Sequence, residues 1–237
     1  MLADLVRTDR HNHRQVAGDS PLAEAVKVLA RAHQSLIWAR QRHVNALRSA
    51  LREFYPGALA AVGAQLAEPE ALAVLVAMLR CCNAQVAALE QQLASQFNAH
   101  PDAAIVRSQP GLGVVLGARV LGEFGDDPER YQTAKGRKAF AGTAPVTRSS
   151  GLHTVVVARA ACNQRLVDAC YLWAFAALTA SPGARRCYDA HRARGASHHQ
   201  ALRALGNRLV GILHGCLARR AAYQEQLAWP EAEPAAA

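Results

Sequence analysis

LAEAVKVLARAHQSLIWARQRHVNALRSALREF, residues 22–54, decides the fold class. Leu22, Val26, Leu29, His33, Leu36, Arg40, Val44, Leu47, Leu51 and Phe54 recur in steps of three or four, which lays them along one stripe of a long helix. The doubled step of four around Arg40 is a stutter. Ser20-Pro21 supplies the start signal and Tyr55-Pro56-Gly57 the stop. A second stripe, Leu72, Leu75, Leu79, Cys82, Val86, Leu89, Leu93 and Phe97, follows Pro69 and ends near His100-Pro101. Two such helices joined by a loop predict an antiparallel coiled-coil hairpin over 20–100. Off-stripe apolar residues such as Trp38 and Met78 leave a second face, open either to a second copy or to the rest of the same chain.

Composition agrees with a mainly α protein. Half of the 237 residues are hydrophobic, aromatics are few, and Val, Ile and Thr rarely alternate in period two. Cys81, Cys82, Cys162, Cys170, Cys187 and Cys216 form no CxxC pair, which suits reduced thiols and argues against structural zinc. The opening MLADLVRTDR lacks the order of a secretory signal, and the most apolar run, ACYLWAFAALTASPGA, is too short to span a bilayer. A cytoplasmic protein with no membrane partner is the expectation.

Charge is unevenly placed. Residues 131–220 hold fourteen Lys or Arg against Asp168 and Asp189, a net of +12 in a chain whose total is +9, so the remainder carries −3. A basic half of this kind points to a polyanion, nucleic acid first, although a soluble arginine-rich surface would read the same way.

Within 101–222 the stretch SQPGLGVVLGARVLGEFGD, 108–126, has the form of a helix-hairpin-helix. A short helix starts near Pro101, the chain turns at Gly111-Leu112-Gly113, and a small-residue helix ends at Gly125. Gly111 and Gly113 allow a tight turn and open amides that either hold a phosphate or serve packing alone. Asp126-Asp127-Pro128 reads as the next helix start, with Lys135, Arg137 and Lys138 as a basic face that grips phosphate. PVTRSSG, 145–151, reads as a loop; a short strand is expected at His153–Val157. Cys162–Ala180 reads as a buried, nearly all-round apolar helix, and helices follow over 184–195 and 197–219, the last capped by Ser197. Residues 223–237 read as a disordered tail.

Chemistry is sparse. His11-Asn12-His13 lacks the setting of a nuclease, His198-His199 sits in a helix first turn, and the basic half lacks the convergent carboxylates of a two-metal site. The serines remain. A nucleophile on a DNA-processing surface needs nearby cations and a residue that allows close approach, and Arg148 and Gly151 flank Ser149 and Ser150. From the residues alone, a polar turn is the better account of the motif.

Several stretches, in order, resemble the insertion-sequence "one-ten" transposases, DEDD recombinases related to the Piv invertase. They are VLARAHQSLIWARQRHVNALRSALREFYPGAL, QPGLGVVLGARVLGEFGD, KAFAGTAPVTRSSG and SPGARRCYDAHRARGASHHQALRALGNRLVGILHGCL. The resemblance implies a coiled coil that assembles oligomers and a compact helical transposase domain over 101–222. It implies Ser150, the serine before the signature glycine, as a nucleophile that attacks a DNA phosphate, and a guide (bridge) RNA beside the DNA. It also implies a RuvC-like domain whose four acidic residues hold Mg²⁺. Residues 1–19 resemble only the end of that domain; Asp4 and Asp9 lie close to its last acidic position, Asp4 better matched to a non-catalytic place after it, none of the four is assigned, and Mg²⁺ is expected only with that domain. The expectation is a DNA recombinase inactive alone; a non-enzymatic nucleic-acid-binding and oligomerisation module is the alternative.

Overall fold

The computed structural model describes residues 18–54, 69–151 and 153–230. Residues 1–17 of the remnant expected at 1–19, residues 55–68, and residues 231–237 of the tail expected at 223–237 lie outside the described residues, as do the side chains at 50–54, 69–72 and 75. The architecture is mainly α with one small antiparallel hairpin, as the periodicity predicts.

Helix α1 spans Pro21–Phe54 and α2 spans Pro69–Ala99. They run antiparallel, since His33 Nε2 meets Glu90 Oε1 at 3.0 Å and Arg40, further along α1, meets Asn83, earlier in α2, at 3.4 Å. Ser20 Oγ accepts from the Ala23 amide, an N-cap at the position the sequence marks. Burial along the stripes is graded. Val26, Ala30, Leu93 and Phe97 are fully enclosed near one end of the pair, whereas Leu36, Val44 and Leu47 are half-buried further along α1.

The reason is what lies beneath. Short α3, Ala103–Arg107, leads through the Gly111 turn to α4, Val114–Phe124, whose buried Gly117, Ala118, Val120 and Leu121 face the arm pair on one side and α6, Gln164–Ala180, on the other. Gly122 of α4 sits against the α1 backbone at Lys27, where no larger residue would fit. Helices α7, Pro182–Ala193, and α8, His198–Arg219, pack on α6, and α5, Ala134–Phe140, packs on α8. Leu202, Leu205, Leu209 and Leu213 of α8 close the core, in the inward register read from the sequence; Ile212 and Leu217 are half-buried at its margin. The helix starts with a full capping box of Ser197 and Gln200.

Three expectations need correction. The Asp126-Asp127-Pro128 helix start is a turn: Asp127 Oδ1 accepts from the Glu129 amide, Asp126 accepts from Ser20 and meets His100, and α5 begins later with Thr133 as its cap. Both aspartates have partners that hold the chain outside a helix. Helix α6 is not buried all round, for Leu172 and Phe175 are 39% and 56% exposed. Residues 223–230 are not a disordered tail, because α9, Glu225–Ala228, ends in a buried Trp229 that stacks under Arg208, 4.3 Å from the guanidinium carbon, and lies against Gly183. Among the described residues no helix is long and apolar enough to cross a membrane.

Candidate nucleic-acid interface

The segment read as a loop is strand β1, Val146–Ser150, paired antiparallel with β2, His153–Val157. Polar Arg-Ser-Ser hides the strand from any hydrophobic pattern, and the β-branched run of β2 organises it. Gly151 begins the turn at φ +56°, left-handed backbone that an L side chain adopts reluctantly, although the space around it is open. Only Val146 and Val157, at the root, are half-buried; every other described residue of the two strands is exposed.

Register separates the two serines. Alternation puts Val146, Arg148 and Ser150 on one face together with their partners Val157, Val155 and His153, and Thr147 and Ser149 on the other with Val156 and Thr154. Ser149 is engaged there, its Oγ 3.2 Å from Thr154 Oγ1. Ser150 makes no side-chain hydrogen bond among the described residues; it stands at the exposed end of the hairpin, directly opposite His153 and two places from Arg148. His153 was not singled out by the sequence. Its signal would have been the hairpin itself, because only the pairing across Gly151 brings an imidazole opposite a serine.

The other basic residues divide. Lys135 is exposed on α5, and the Lys138 side chain lies over Gly211 of α8. Arg137 turns inward: it is 6% exposed, with its guanidinium carbon 4.6 Å from the Tyr131 ring centre and 5.1 Å from that of Phe124. Burial lowers its pKa and pushes the Tyr131 phenol up to about 12. Arg137 Nε and Nη1 have no partner among the described residues, and the side chain forms part of the wall of a cavity of about 500 Å³ shared with Asp102, His214 and Arg220. Thr143 ties α5 to α8, its Oγ1 3.2 Å from the Lys138 carbonyl and 3.3 Å from Asn207 Oδ1, so α5 and the hairpin that follows it are set on α8 together.

Gly111 and Gly113 belong to a different contact. Gly111, at φ +80°, packs against the α6 backbone at Ala176 and Ala177, so its close approach is to protein. Gly113 is exposed, and no side chain caps the first turn of α4 behind it.

What fixes the arm to this unit is a buried carboxylate. Glu123 of α4, 6% exposed, accepts from Arg31 Nε at 2.8 Å and Nη2 at 2.9 Å and from Asn163 Nδ2 at 2.7 Å. Burial alone would raise its pKa, but the hydrogen bonds from Arg31 and Asn163 outweigh it and hold the group low. Asp19, between Arg130 and Lys27, and Asp126, below Ser20 and His100, are depressed in the same balance. Carboxylates with folded pKa values below their unfolded ones bind more protons when unfolded. Their stabilisation is complete above the unfolded values and is lost as the pH falls through the folded ones. Melting temperature is therefore expected to hold steady near neutrality and to fall below about pH 5. Glu123→Gln should melt lower at pH 7 and show a shallower acid slope; an unchanged slope would count against the role of Glu123.

Residues 103–189, from α3 through the hairpin into α7, match the family model described as "Transposase IS116/IS110/IS902 family", and residues 1–56 match a second model described as "Transposase". The "Mini-circle putative transposase for IS117" of Streptomyces coelicolor is 37% identical over all of this chain and 73% of its own length. An insertion element IS110 protein of the same organism is 36% identical over 65% of this chain, and an IS900 protein of Mycobacterium paratuberculosis 33% identical over 68%. This chain spans only 38% and 40% of the lengths of those two. The chain belongs to the IS116/IS110/IS902 family of insertion-sequence transposases.

Proposed function

We propose that the chain acts in DNA transposition through Ser150, the exposed hydroxyl that shares a hairpin face with Arg148 and His153. In this reading Ser150 Oγ gives up its proton and attacks a backbone phosphorus. The bond from phosphorus to one sugar oxygen breaks, that oxygen takes a proton, and one strand end is left joined to the serine as a phosphodiester. Arg148 meets the charge on the phosphate, and His153 is the imidazole the hairpin offers for the proton. Gly151 leaves the approach open. Lys135, Lys138 and the uncapped amides behind Gly113 hold flanking phosphates by charge and backbone contact, while Arg137 shapes the wall beneath α5.

The observation that carries this reading is the division of the serines: Ser149 is bonded across the strands and Ser150 is not. DNA is the substrate; a structured guide RNA is the proposed second nucleic acid, for which the net +12 of residues 131–220 offers a counter-charge. Assembly of copies through the arms would cover Val28, Trp38, Val74, Val76 and Met78, all exposed on α1 and α2. The family resemblance adds Mg²⁺ held by an acidic domain. Among the described residues no group of three or more His, Cys, Asp or Glu could hold a metal ion, so these residues do not fit one and no step here passes through it.

The test is a trapped adduct. A DNA end of the insertion element with a bridging phosphorothiolate, whose sulfur leaves without protonation, is incubated with the chain and resolved under denaturing conditions. Ser150→Ala should reduce the covalent band on the order of 10³-fold or more, while Ser149→Ala retains it. An adduct that survives Ser150→Ala removes the nucleophile and leaves a binding module.

A further inference from the structure

A second feature lies where α6, α7 and the start of α8 meet. Tyr171 and Phe175, one turn apart on α6, Tyr188 on α7, and His198 and His199 in the first turn of α8 bring five rings into one connected cluster. Tyr171 stacks on His199 with ring centres 5.7 Å apart and planes at 28°. His199 meets His198 at 5.5 Å, and His198 meets Phe175 edge-on at 6.5 Å and Tyr188 at 5.8 Å. Two hydrogen bonds hold the rings in place, Tyr171 Oη with His199 Nδ1 at 3.0 Å and Tyr188 Oη with His198 Nδ1 at 2.7 Å. The cluster is nevertheless open to solvent, with Phe175 56% and Leu172 39% exposed and His199 exposed beside them. Rings fixed in position and left uncovered present ready-made π faces.

The surroundings say what kind of molecule covers them. Tyr171 and His199 also line a hollow of about 180 Å³ together with Thr143 and Arg203. The same Thr143 and Arg203 line a second hollow of about 420 Å³ that reaches Val156 and Val157 of β2. The two hollows are neighbours that share Thr143 and Arg203, one against the rings and the other against the root of the hairpin that carries Ser150. The two carboxylates of the basic half are already matched, Asp168 by Arg119 and Gln34, and Asp189 by Arg185. Arg203 has no hydrogen-bond or ion-pair partner among the described residues. Flat rings beside an unmatched cation, next to a hollow at the root of the hairpin that carries the proposed DNA-cutting serine, have the composition of a single-strand binding surface.

We propose that Tyr171, Phe175, His198 and His199 form a stacking platform for unpaired bases of the DNA strand whose phosphate Ser150 engages, with Arg203 holding the intervening backbone. The proposal rests on the reading of Ser150 above and extends it. The DNA enters with bases out of the duplex, and its unpaired bases lie on the rings.

The experiment uses the full chain and a single-stranded DNA with 2-aminopurine near the scissile position, whose fluorescence is quenched by stacking. Quenching on binding is expected. In Phe175→Ala/His199→Ala, at two exposed positions, it should be lost and affinity should fall roughly 10- to 100-fold. Affinity for the same sequence as a closed duplex should be unchanged, since phosphate contacts remain. Phe175→Trp with His199→Phe restores rings and should restore quenching, whereas Phe175→Leu keeps the apolar bulk and should not. Overturning results are an unchanged single-strand affinity in the alanine variant, an equal loss for duplex and single strand, recovery by leucine, or stronger binding of the same sequence as RNA. Ser150→Ala separates this proposal from the one beneath it. Quenching together with an adduct that survives Ser150→Ala sinks the nucleophile alone, and an adduct formed at normal yield by Phe175→Ala/His199→Ala sinks the platform alone.

Discussion

Replacing Trp173 by alanine is expected to lower the unfolding free energy by about 4 kcal/mol, the upper part of the range for a large buried side chain. Trp173 is the largest of the fully enclosed side chains and lies in the middle of α6, in the core cluster that α4 and α8 also build. Alanine removes its apolar area from the core and leaves a cavity that surrounding helices, anchored at both ends, fill only in part. A polar consequence adds to this, because Trp173 Nε1 donates to the Pro110 carbonyl at 2.9 Å and both atoms are buried. Trp173→Phe isolates that part: it keeps a ring, leaves the carbonyl unpaired, and should cost about 1–3 kcal/mol. Urea titration measures both variants. For a chain of this size the alanine variant should melt on the order of 10 °C lower, and a loss below about 1 kcal/mol would mean that the site collapses without strain.

Gly111→Ala is the second large effect and acts on the same contact from the other side. The residue is at φ +80°, where a Cβ costs about 1–2 kcal/mol by itself. A Cβ there would also lie 2.7 Å from the Ala177 amide nitrogen and 2.8 Å from the Ala176 carbonyl carbon, main-chain atoms of α6 that cannot rotate away. The helix or the turn must shift, and a total of about 3 kcal/mol or more is expected. Gly113→Ala, two residues on, is the control. Its φ of −76° suits any residue and nothing lies within 4 Å of the added carbon, so the cost should stay below about 1 kcal/mol. Equal effects at the two glycines would refute this account of the turn. Because Trp173 and Gly111 support one interface, the double variant should lose less than the two singles added together.

The long helices were legible because their signal is long. An unbroken three-four periodicity from Leu22 to Phe54, between Ser20-Pro21 and Pro56, leaves little room for another structure, and the caps at Ser20 and Ser197 stand where the residues place them. The hairpin was half legible. β-branched at Thr154, Val155, Val156 and Val157, β2 was read from its residues, whereas β1 takes its form from its partner. What the sequence could not show was direction. Arg137 sits in a basic run with Lys135 and Lys138, yet α5 is short and packs on α8, so one of these three neighbouring cations must face inward, where the rings of Phe124 and Tyr131 receive it. Phe175 fails in the opposite sense. A helix apolar on every side promises burial, but α6 is covered by neighbours on only part of its circumference, and the uncovered part is where histidines from α8 arrive. That cluster joins residues 171 to 199 and has no signature within any one segment.

Seen as a mechanical part, the arm is a beam clamped at one end. From Ser20 to Trp38 it is held by Asp126, Glu123, Asp168 and the Arg165 guanidinium, 5.1 Å from the Trp38 ring, and just beyond that point Arg40 meets Asn83 of α2. The sixteen residues from 39 to 54 extend roughly 24 Å past the clamp at about 1.5 Å per residue. The two-stranded hairpin is a second projection, rooted only at Val146 and Val157. Stiffness in series is set by the softest member, so whatever grips the arm tips positions the helical body closely and the Ser150 hydroxyl only loosely. The last few ångströms of alignment fall to whatever the hairpin itself touches.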